Sequence, residues 1–422
     1  RGRGACCGAF GVLCVVVGAE NWFFGHFCEL LLAFVCLSQW VTGWWLLGGA
    51  TLPAWVHVLV VVAIYAINVA AVRGPRRFGR RPQPTSLPVR LYFGAAFASV
   101  FCLVFLAAAS LLFAVLGGIE AALAASTAPG ALQPTSDSVA FRAFTYTGCA
   151  AIGLSFLWGY SIGQRQLRVR EIDIPMRNLP PALEGVRIAQ ISDVHMGQNL
   201  DPEQLAGYVD RVNATEADLI CVTGDMVDSP QADIDLFLPI FAGLRARCGV
   251  YAILGNHDFT SGAERVSAAI RRQTDFTLLR DEHVAVPIGD AVLHLVGLDD
   301  RGLDWARGLR HDPRLDEVWT HVPPGAPAIL LNHRPDLFEH AARIGVPLTL
   351  SGHTHGGQIG MPWLTGRVWN PSRFITAFDR GLFEREGHYL YTNCGLGVTA
   401  QRVRIATPRE ISVFRLCLRE EA

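Results

Sequence analysis

Val186-Arg-Ile-Ala-Gln-Ile-Ser-Asp193-Val-His195 is a short apolar run that ends in two side chains able to bind a cation. Its composition predicts a buried strand, and the break at Ser192-Asp193 places a carboxylate and an imidazole just past the strand's carboxyl end. The same pattern then recurs. Leu219-Ile-Cys-Val-Thr223 stops at Gly224-Asp225-Met-Val-Asp228, and Val250-Tyr-Ala-Ile-Leu254 stops at Gly255-Asn256-His257-Asp258. Ala328-Ile-Leu-Leu331 ends at Asn332-His333, and Leu348-Thr-Leu350 ends at Ser351-Gly-His353-Thr-His355. Helix-like stretches at Pro202–Val212 and Asp233–Arg245 separate the first three runs, so the predicted class is α/β. Ligands of α/β sheets gather beyond the carboxyl ends of the strands. Each motif alone reads as turn chemistry, but five successive strand ends carrying Asp, Asn and His point to one shared site.

These runs lie in the more polar part of a 422-residue chain that is 51% hydrophobic and only 17% charged. Residues 1–165 hold 10 Arg and 4 acids, the remainder holds 26 Arg and 33 acids, and there is no Lys. The expected organisation is a transmembrane helical domain, 1–165, followed by a soluble domain of single-core size, 166–422. This composition excludes intrinsic disorder, a collagen-like fibre and a secreted disulfide scaffold. Eleven Cys without a CxxC pair support neither a zinc knuckle nor a dithiol redox motif. Cys221, inside an apolar run, reads as a small buried core residue, and a reducing compartment is expected. The soluble part is net acidic, which disfavours a nucleic-acid partner and a nuclease.

In the first part, Leu30–Gly49, Pro53–Val72, Val89–Leu116 and Phe141–Ile162 each have the roughly 20 apolar residues that cross a bilayer. Trp40, Trp44 and Trp45 sit near one end of the first, as interfacial aromatics do. Ala5–Ala19 is apolar but short, and reads as a fifth span, a signal-like segment or a loop. Arg73–Arg90 carries six Arg, whereas Gly117–Val139 carries none and has Glu120 and Asp137. The positive-inside rule then puts the Arg73–Arg90 loop in the cytoplasm. The last span returns inward, so a multi-pass plasma-membrane protein with a cytoplasmic soluble domain is expected.

Asp193-Val-His195, Gly224-Asp225-Met-Val-Asp228, Gly255-Asn256-His257-Asp258, His333 and Gly352-His353-Thr-His355 resemble the five signature blocks of the calcineurin-like metallophosphoesterases. Gly352-His-Thr-His-Gly-Gly-Gln358, Asp379-Arg-Gly-Leu-Phe383, Cys394-Gly-Leu-Gly397 and Pro408-Arg-Glu-Ile411 resemble the branch with N-terminal membrane segments. The resemblance covers about residues 170–417, with no block missing. It implies a four-layer α/β/β/α sandwich holding two divalent metals. Asp193, His195 and His355 would hold one, Asn256, His333 and His353 the other, and Asp225 would bridge them. Imidazole and oxygen donors without thiolate suit Mn, Fe, Zn or Co.

The reaction implied is hydrolysis of a phosphodiester, diphosphate or phosphomonoester by a hydroxide bridging the two metals. His257 would act as general acid or electrostatic stabiliser. Asp258 either orients its ring or simply caps a turn. A position beside a bilayer favours a lipid-linked substrate, with soluble phosphoesters as the runner-up. From another class, the chain would be a membrane sensor or scaffold with a regulatory phosphoesterase-like domain. Transport is disfavoured, because the centres of the spans carry almost no ionisable side chains. The other histidines of the soluble part (283, 294, 311, 321, 340 and 388) read as surface or packing residues. Arg301–Glu317 reads as a charged loop, with a substrate-facing lid as the alternative, and Arg334 as an exposed cation, with a phosphate contact as the alternative.

Overall fold

The computed structural model describes residues 22–47, 52–73, 87–127, 139–197, 199–230, 232–302, 308–361, 368–399 and 401–418. The Ala5–Ala19 segment lies outside them, as do most of the Arg73–Arg90 loop and residues 128–138 of the acidic one. Backbone contacts divide the chain into two compact units, the first ending at Tyr160 and the second running on from Ser161.

The first unit contains helices α1 (Trp22–Leu46), α2 (Ala54–Arg73), α3 (Leu87–Thr127) and α4 (Val139–Ser161). Gly94–Ile119 and Val139–Arg165 are long and apolar enough to cross a membrane, with only 22% of each window buried. Side chains such as Val104, Leu111 and Leu154 therefore face outward, unlike those of a soluble protein's core helix. Leu32–Leu46 and Ala54–Val69 are apolar but shorter. α3 runs through Gly117-Gly118 to Thr127, beyond the expected end at Leu116. Polar groups inside this unit find partners on neighbouring helices: Asn68 Nδ2 donates to Gln39 Oε1 (2.7 Å) and Thr42 Oγ1 to the Ser99 carbonyl (3.2 Å).

In the second unit the strands are, in chain order, β1 (Leu167–Met176), β2 (Arg187–Ile191), β3 (Leu219–Val222), β4 (Val250–Ala252), β5 (Thr277–Leu278) and β6 (Glu282–Ile288). They continue as β7 (Ala291–Leu298), β8 (Ala328–Asn332), β9 (Leu348–Ser351), β10 (Gly381–Arg385), β11 (His388–Thr392) and β12 (Arg409–Leu418). The helices are α5 (Pro202–Asn213), α6 (Ile234–Phe241), α7 (Asn256–Thr260), α8 (Ala263–Gln273), α9 (Pro313–Trp319) and α10 (Phe338–Arg343).

Two six-stranded sheets form, in the orders β1-β12-β2-β3-β4-β5 and β10-β11-β9-β8-β7-β6. β2 to β5 pair in parallel, as do β7, β8, β9 and β11. Alternation along β2 shows the layering. Ile188 enters an apolar core shared with Leu295, Ile329 and Leu350 of the other sheet. Ala189 and Ile191 face the opposite way, onto Leu205 of α5 and Phe237 of α6. A third apolar layer packs Leu315 of α9 and Ala341 of α10 against Val296 and Leu330. Two sheets face to face with helices on both outer faces make the α/β/β/α sandwich. Cys221 is fully buried between the sheets.

One stretch differs from its reading as a loop. Residues 313–319 of the expected loop Arg301–Glu317 and just beyond it are helical, because Asp312 caps the helix by accepting the Arg314 N–H (3.0 Å) and Pro313 takes the first position.

Candidate metal centre

The carboxyl ends of β2, β3, β4, β8 and β9 deliver the expected residues to one edge of the sandwich. Gln190 ties the two sheets together there, donating to Thr223 Oγ1 and to the Ser351 carbonyl, both at 2.9 Å. The backbone at the ends is tightly constrained. Asp193, His195, Asp225, His353 and His355 all have φ between 49° and 68°, a region that costs non-glycine residues about 1 kcal/mol or more and concentrates at functional sites. Close approach does the rest. A Cβ at Gly352 would overlap Ser192 Oγ and Asp193 Oδ2, and one at Gly255 would overlap Asp225 Oδ1.

Three overlapping groups of donors result, each with its ligand atoms within 4.8 Å of one another: Asp193, His195 and His355; Asp225, His333 and His353; and His195, Asp225 and His257. His195 Nε2 and His355 Nε2 are 3.1 Å apart, and His355 Nε2 is 3.4 Å from Asp193 Oδ1. His333 Nε2 is 3.2 Å from Asp225 Oδ2, and His195 Nε2 is 3.7 Å from the same oxygen. Asp225 thus stands between the groups. Asn256 opens α7 beside them, and its buried Oδ1 has no hydrogen-bond partner.

This donor set fits divalent cations. Buried polar atoms are normally paired, yet Asn256 Oδ1 has no hydrogen-bond partner, and His333 Nε2 has only the Asp225 carboxylate, 3.2 Å away. The His333 ring is fixed by Nδ1–H donating to the Thr223 carbonyl (2.7 Å), which leaves the Nε2 lone pair for a Lewis acid. Desolvation pushes His353 and His355 well below the usual imidazole range, so both are neutral donors at pH 7. Burial opposes the charge on Asp225, but His333 and His257 outweigh it and hold the carboxyl well below its ordinary value. Burial lowers His333, but Asp225 lifts it to about 10, so with no cation present a proton takes the place of one.

Asp258 does not touch the His257 ring. Its carboxylate accepts the backbone N–H groups of Gly255 (3.0 Å), Met226 (3.1 Å) and Val227 (2.8 Å), which is the turn-capping alternative. The ring is oriented instead by the Asp228 carbonyl, which accepts from Nδ1 at 2.8 Å. Arg334 is not exposed: it is 4% accessible, its Nε donates to Asp300 Oδ2 (2.5 Å), and Gly308 packs on its Cβ. Among the other histidines, His294 and His340 are buried and His311 is exposed.

Two contributors escaped the sequence reading. Asp228 Oδ1 lies 3.5 Å from His195 Nδ1 and supports that ring from behind; its place in the Gly224–Asp228 block was the available signal. Arg404 is fully buried, and its guanidinium donates to the carbonyls of Cys394 (2.8 Å), Gly395 (3.1 Å), Gly397 (2.6 Å), Thr407 (3.1 Å) and Pro408 (3.4 Å). It thereby shapes a strap whose Leu396 and Gly397 N–H groups donate to the Ser192 and Asp193 carbonyls (3.0 and 2.6 Å). No sequence signal marks an arginine for that role.

Residues 186–357 match the family model described as calcineurin-like phosphoesterase. An uncharacterised metallophosphoesterase of Aquifex aeolicus is 32% identical over 253 residues, covering 59% of this chain and 92% of that protein. The UDP-2,3-diacylglucosamine pyrophosphatase LpxG of Chlamydia trachomatis is 28% identical over 337 residues, covering 67% of this chain and 99% of that one. A Bos taurus transmembrane protein with metallophosphoesterase domain is 27% identical, covering 58% of this chain and 56% of its own length. Sequence blocks, sandwich and donor cluster agree, and the chain belongs to the calcineurin-like metallophosphoesterases, metal-dependent hydrolases of phosphoester bonds.

Proposed function

We propose that this protein is a membrane-anchored phosphohydrolase with a dinuclear metal centre, acting on a lipid-linked diphosphate or phosphodiester. The observation that carries the reading is Asp225 standing within 4 Å of both His195 and His333. In this reading Asp193, His195 and His355 would hold one cation, Asn256, His333 and His353 would hold the second, and Asp225 would serve both. Such cations would supply an activated water near neutral pH and positive charge against the phosphoryl oxygens.

The chain's own residues do the rest. Asp258 clamps three amides, so the Asp225–Val227 and Gly255 turns keep their spacing. The Asp228 carbonyl keeps a proton on Nδ1 of His257, so Nε2 is the atom left to face the departing oxygen, and it delivers a proton there when the ring is the doubly protonated imidazolium. A lipid-linked diphosphate is supported by the likeness to a UDP-2,3-diacylglucosamine pyrophosphatase. The apolar helices support a multi-pass domain, 1–165, anchoring a hydrolase domain, 166–422, and the Arg73–Arg90 cluster favours a cytoplasmic orientation.

The test is turnover by the detergent-solubilised chain, with defined Mn, Fe, Zn or Co, of a panel of lipid-linked and soluble phosphoesters. Asp225→Asn is expected to lose metal and turnover together. A metal-free wild type with full activity would overturn the reading.

A further inference from the structure

Trp369 and Phe374 form an aromatic hook rooted at the metal centre. Phe374 is 75% exposed, and its ring meets that of Trp369 edge to face at 5.4 Å. Pro371, Arg373 and Ala377 beside it are exposed too. An aromatic ring held in water forgoes the free energy of its burial, yet this one is not on a loose end. Trp369 exchanges two backbone hydrogen bonds with Met361 (2.7 and 3.0 Å). Asn370 packs on Gly357 and donates to Asp379 Oδ2 (2.6 Å), while the Asp379 carbonyl accepts from Thr354 Oγ1 (2.6 Å). The hook is therefore fastened to the turn that carries His353 and His355.

The chain itself indicates what covers it. α4 ends at Ser161 and β1 starts at Leu167, so a short link in sequence joins the last apolar helix to the first strand. Gln164 in that link is buried: its carbonyl accepts from Arg409 Nε (2.6 Å) and its Oε1 from Arg402 Nε (3.3 Å). The segment carrying Arg402 is bound in turn to Gln358, whose side chain exchanges two hydrogen bonds with Thr399 (both 2.9 Å). Gln358 stands three residues past His355. Tether, metal turn and hook are thus linked by direct bonds within one unit. Arg373, whose ion pair with Asp379 uses only Nε (3.2 Å), puts a cation beside the exposed ring, the pairing that suits anionic headgroups.

We infer that Phe374 and Trp369 insert into the headgroup layer of a phospholipid surface and bring the metal centre to phosphoesters carried there. The inference rests on the membrane-anchored phosphohydrolase reading. Interfacial aromatics prefer this depth, with the ring among acyl carbons and polar neighbours among headgroups.

The test reconstitutes the full chain in phosphatidylcholine vesicles containing phosphatidylglycerol. One arm compares wild type and Phe374→Asp on an acyl-bearing diphosphate embedded in the vesicles and on bis(4-nitrophenyl) phosphate in water. Phe374→Asp is expected to lower kcat/KM about tenfold on the embedded substrate, the loss of one inserted ring, and to leave the soluble substrate unaffected. Equal rates for the two proteins on the embedded substrate, or parallel losses on both substrates, would overturn the inference. The second arm reads insertion without turnover: Phe374→Trp is expected to add emission that lipids brominated near the headgroup quench. No added quenching overturns insertion. Added quenching by a protein that hydrolyses nothing sinks the hydrolase reading and upholds insertion.

Discussion

His195 Nε2 and His355 Nε2, from residues 160 positions apart in sequence, face each other at 3.1 Å with their rings nearly parallel. Asp193 Oδ1 is 3.4 Å from one of them and 4.0 Å from the other. Two imidazoles and a carboxylate so placed bind a cation far better than they bind each other. A site filled at about 100–1,000 times its Kd stabilises the folded state by about 3–4 kcal/mol. For a domain of this size each kcal/mol moves Tm by about 2–4 °C. Stripping the metal with a chelator is therefore expected to lower Tm by about 10 °C, and His355→Ala to melt lower and respond less. Calorimetry with and without chelator checks both. An unchanged wild-type Tm would leave this cluster without a structural metal.

Arg404 is expected to matter as much as a ligand while touching none of the reacting groups. Five carbonyls point at its guanidinium, and each left unpaired costs about 1–3 kcal/mol. Arg404→Met is expected to destabilise the protein by about 3 kcal/mol or more and to loosen the Cys394–Gly397 strap against Asp193. Arg404→Lys recovers little, because one ammonium cannot reproduce the planar fork. Thermal melting gives the stability, and metal content measured below the new Tm shows whether the proposed site at Asp193 and His355 depends on the strap.

The parts legible in the sequence share a cause. β2, β3, β4, β8 and β9 are largely buried on both faces, so each reads as a mostly apolar run, and each is followed by polar residues that end it. β1 pairs only with β12 and alternates exposed Arg168 and Arg170 with partly buried Leu167 and Val169. No candidate ligand stands at its end, so residue identity does not mark it. The ring partner of His257 is the Asp228 backbone carbonyl, and carbonyls leave no trace in residue identity, which by itself leaves Asp258 open between ring partner and turn cap. Arg334 and Arg404 are illegible for a related reason, since arginine is usually exposed, and burial here depends on Asp300, 34 positions from Arg334, and on backbone carbonyls around Arg404, which residue identity does not reveal.

Acid sensitivity is expected to have a local source at Asp281. Its Oδ1 accepts from the Asp299 N–H (2.9 Å) and from Arg314 Nη1 (2.8 Å), and its Oδ2 from Arg301 Nη2 (2.8 Å). Burial raises its pKa, but the Asp299 amide and Arg314 outweigh burial and hold it below the ordinary carboxylate value. A carboxyl depressed in the folded state contributes stability above its unfolded pKa, about 3.9, and loses that contribution as pH falls through the folded value. Asp281→Asn is expected to cost about 1–3 kcal/mol at pH 7, and the gap to wild type is expected to close below about pH 4. Melting curves at pH 7 and at pH 3.5 check the sign. A gap that is the same at both pH values would remove Asp281 from the account.

His257 offers the sharpest test of the chemistry, because its position allows two roles. Its ring stands 4.7 Å from that of His195 and nearly perpendicular to it, and its backbone N–H donates to Asp225 Oδ1 (2.8 Å). With Nδ1–H committed to the Asp228 carbonyl, Nε2 is left to work on a leaving group or to join the donors around Asp225. A general acid helps in proportion to the basicity of the oxygen that departs. His257→Ala is therefore expected to slow cleavage of an alkyl phosphodiester by about 10²–10⁴-fold, to slow a nitrophenyl diester much less, and to keep its full metal content. Equal losses on both leaving groups would rule out proton delivery, and loss of metal along with rate would make His257 a ligand.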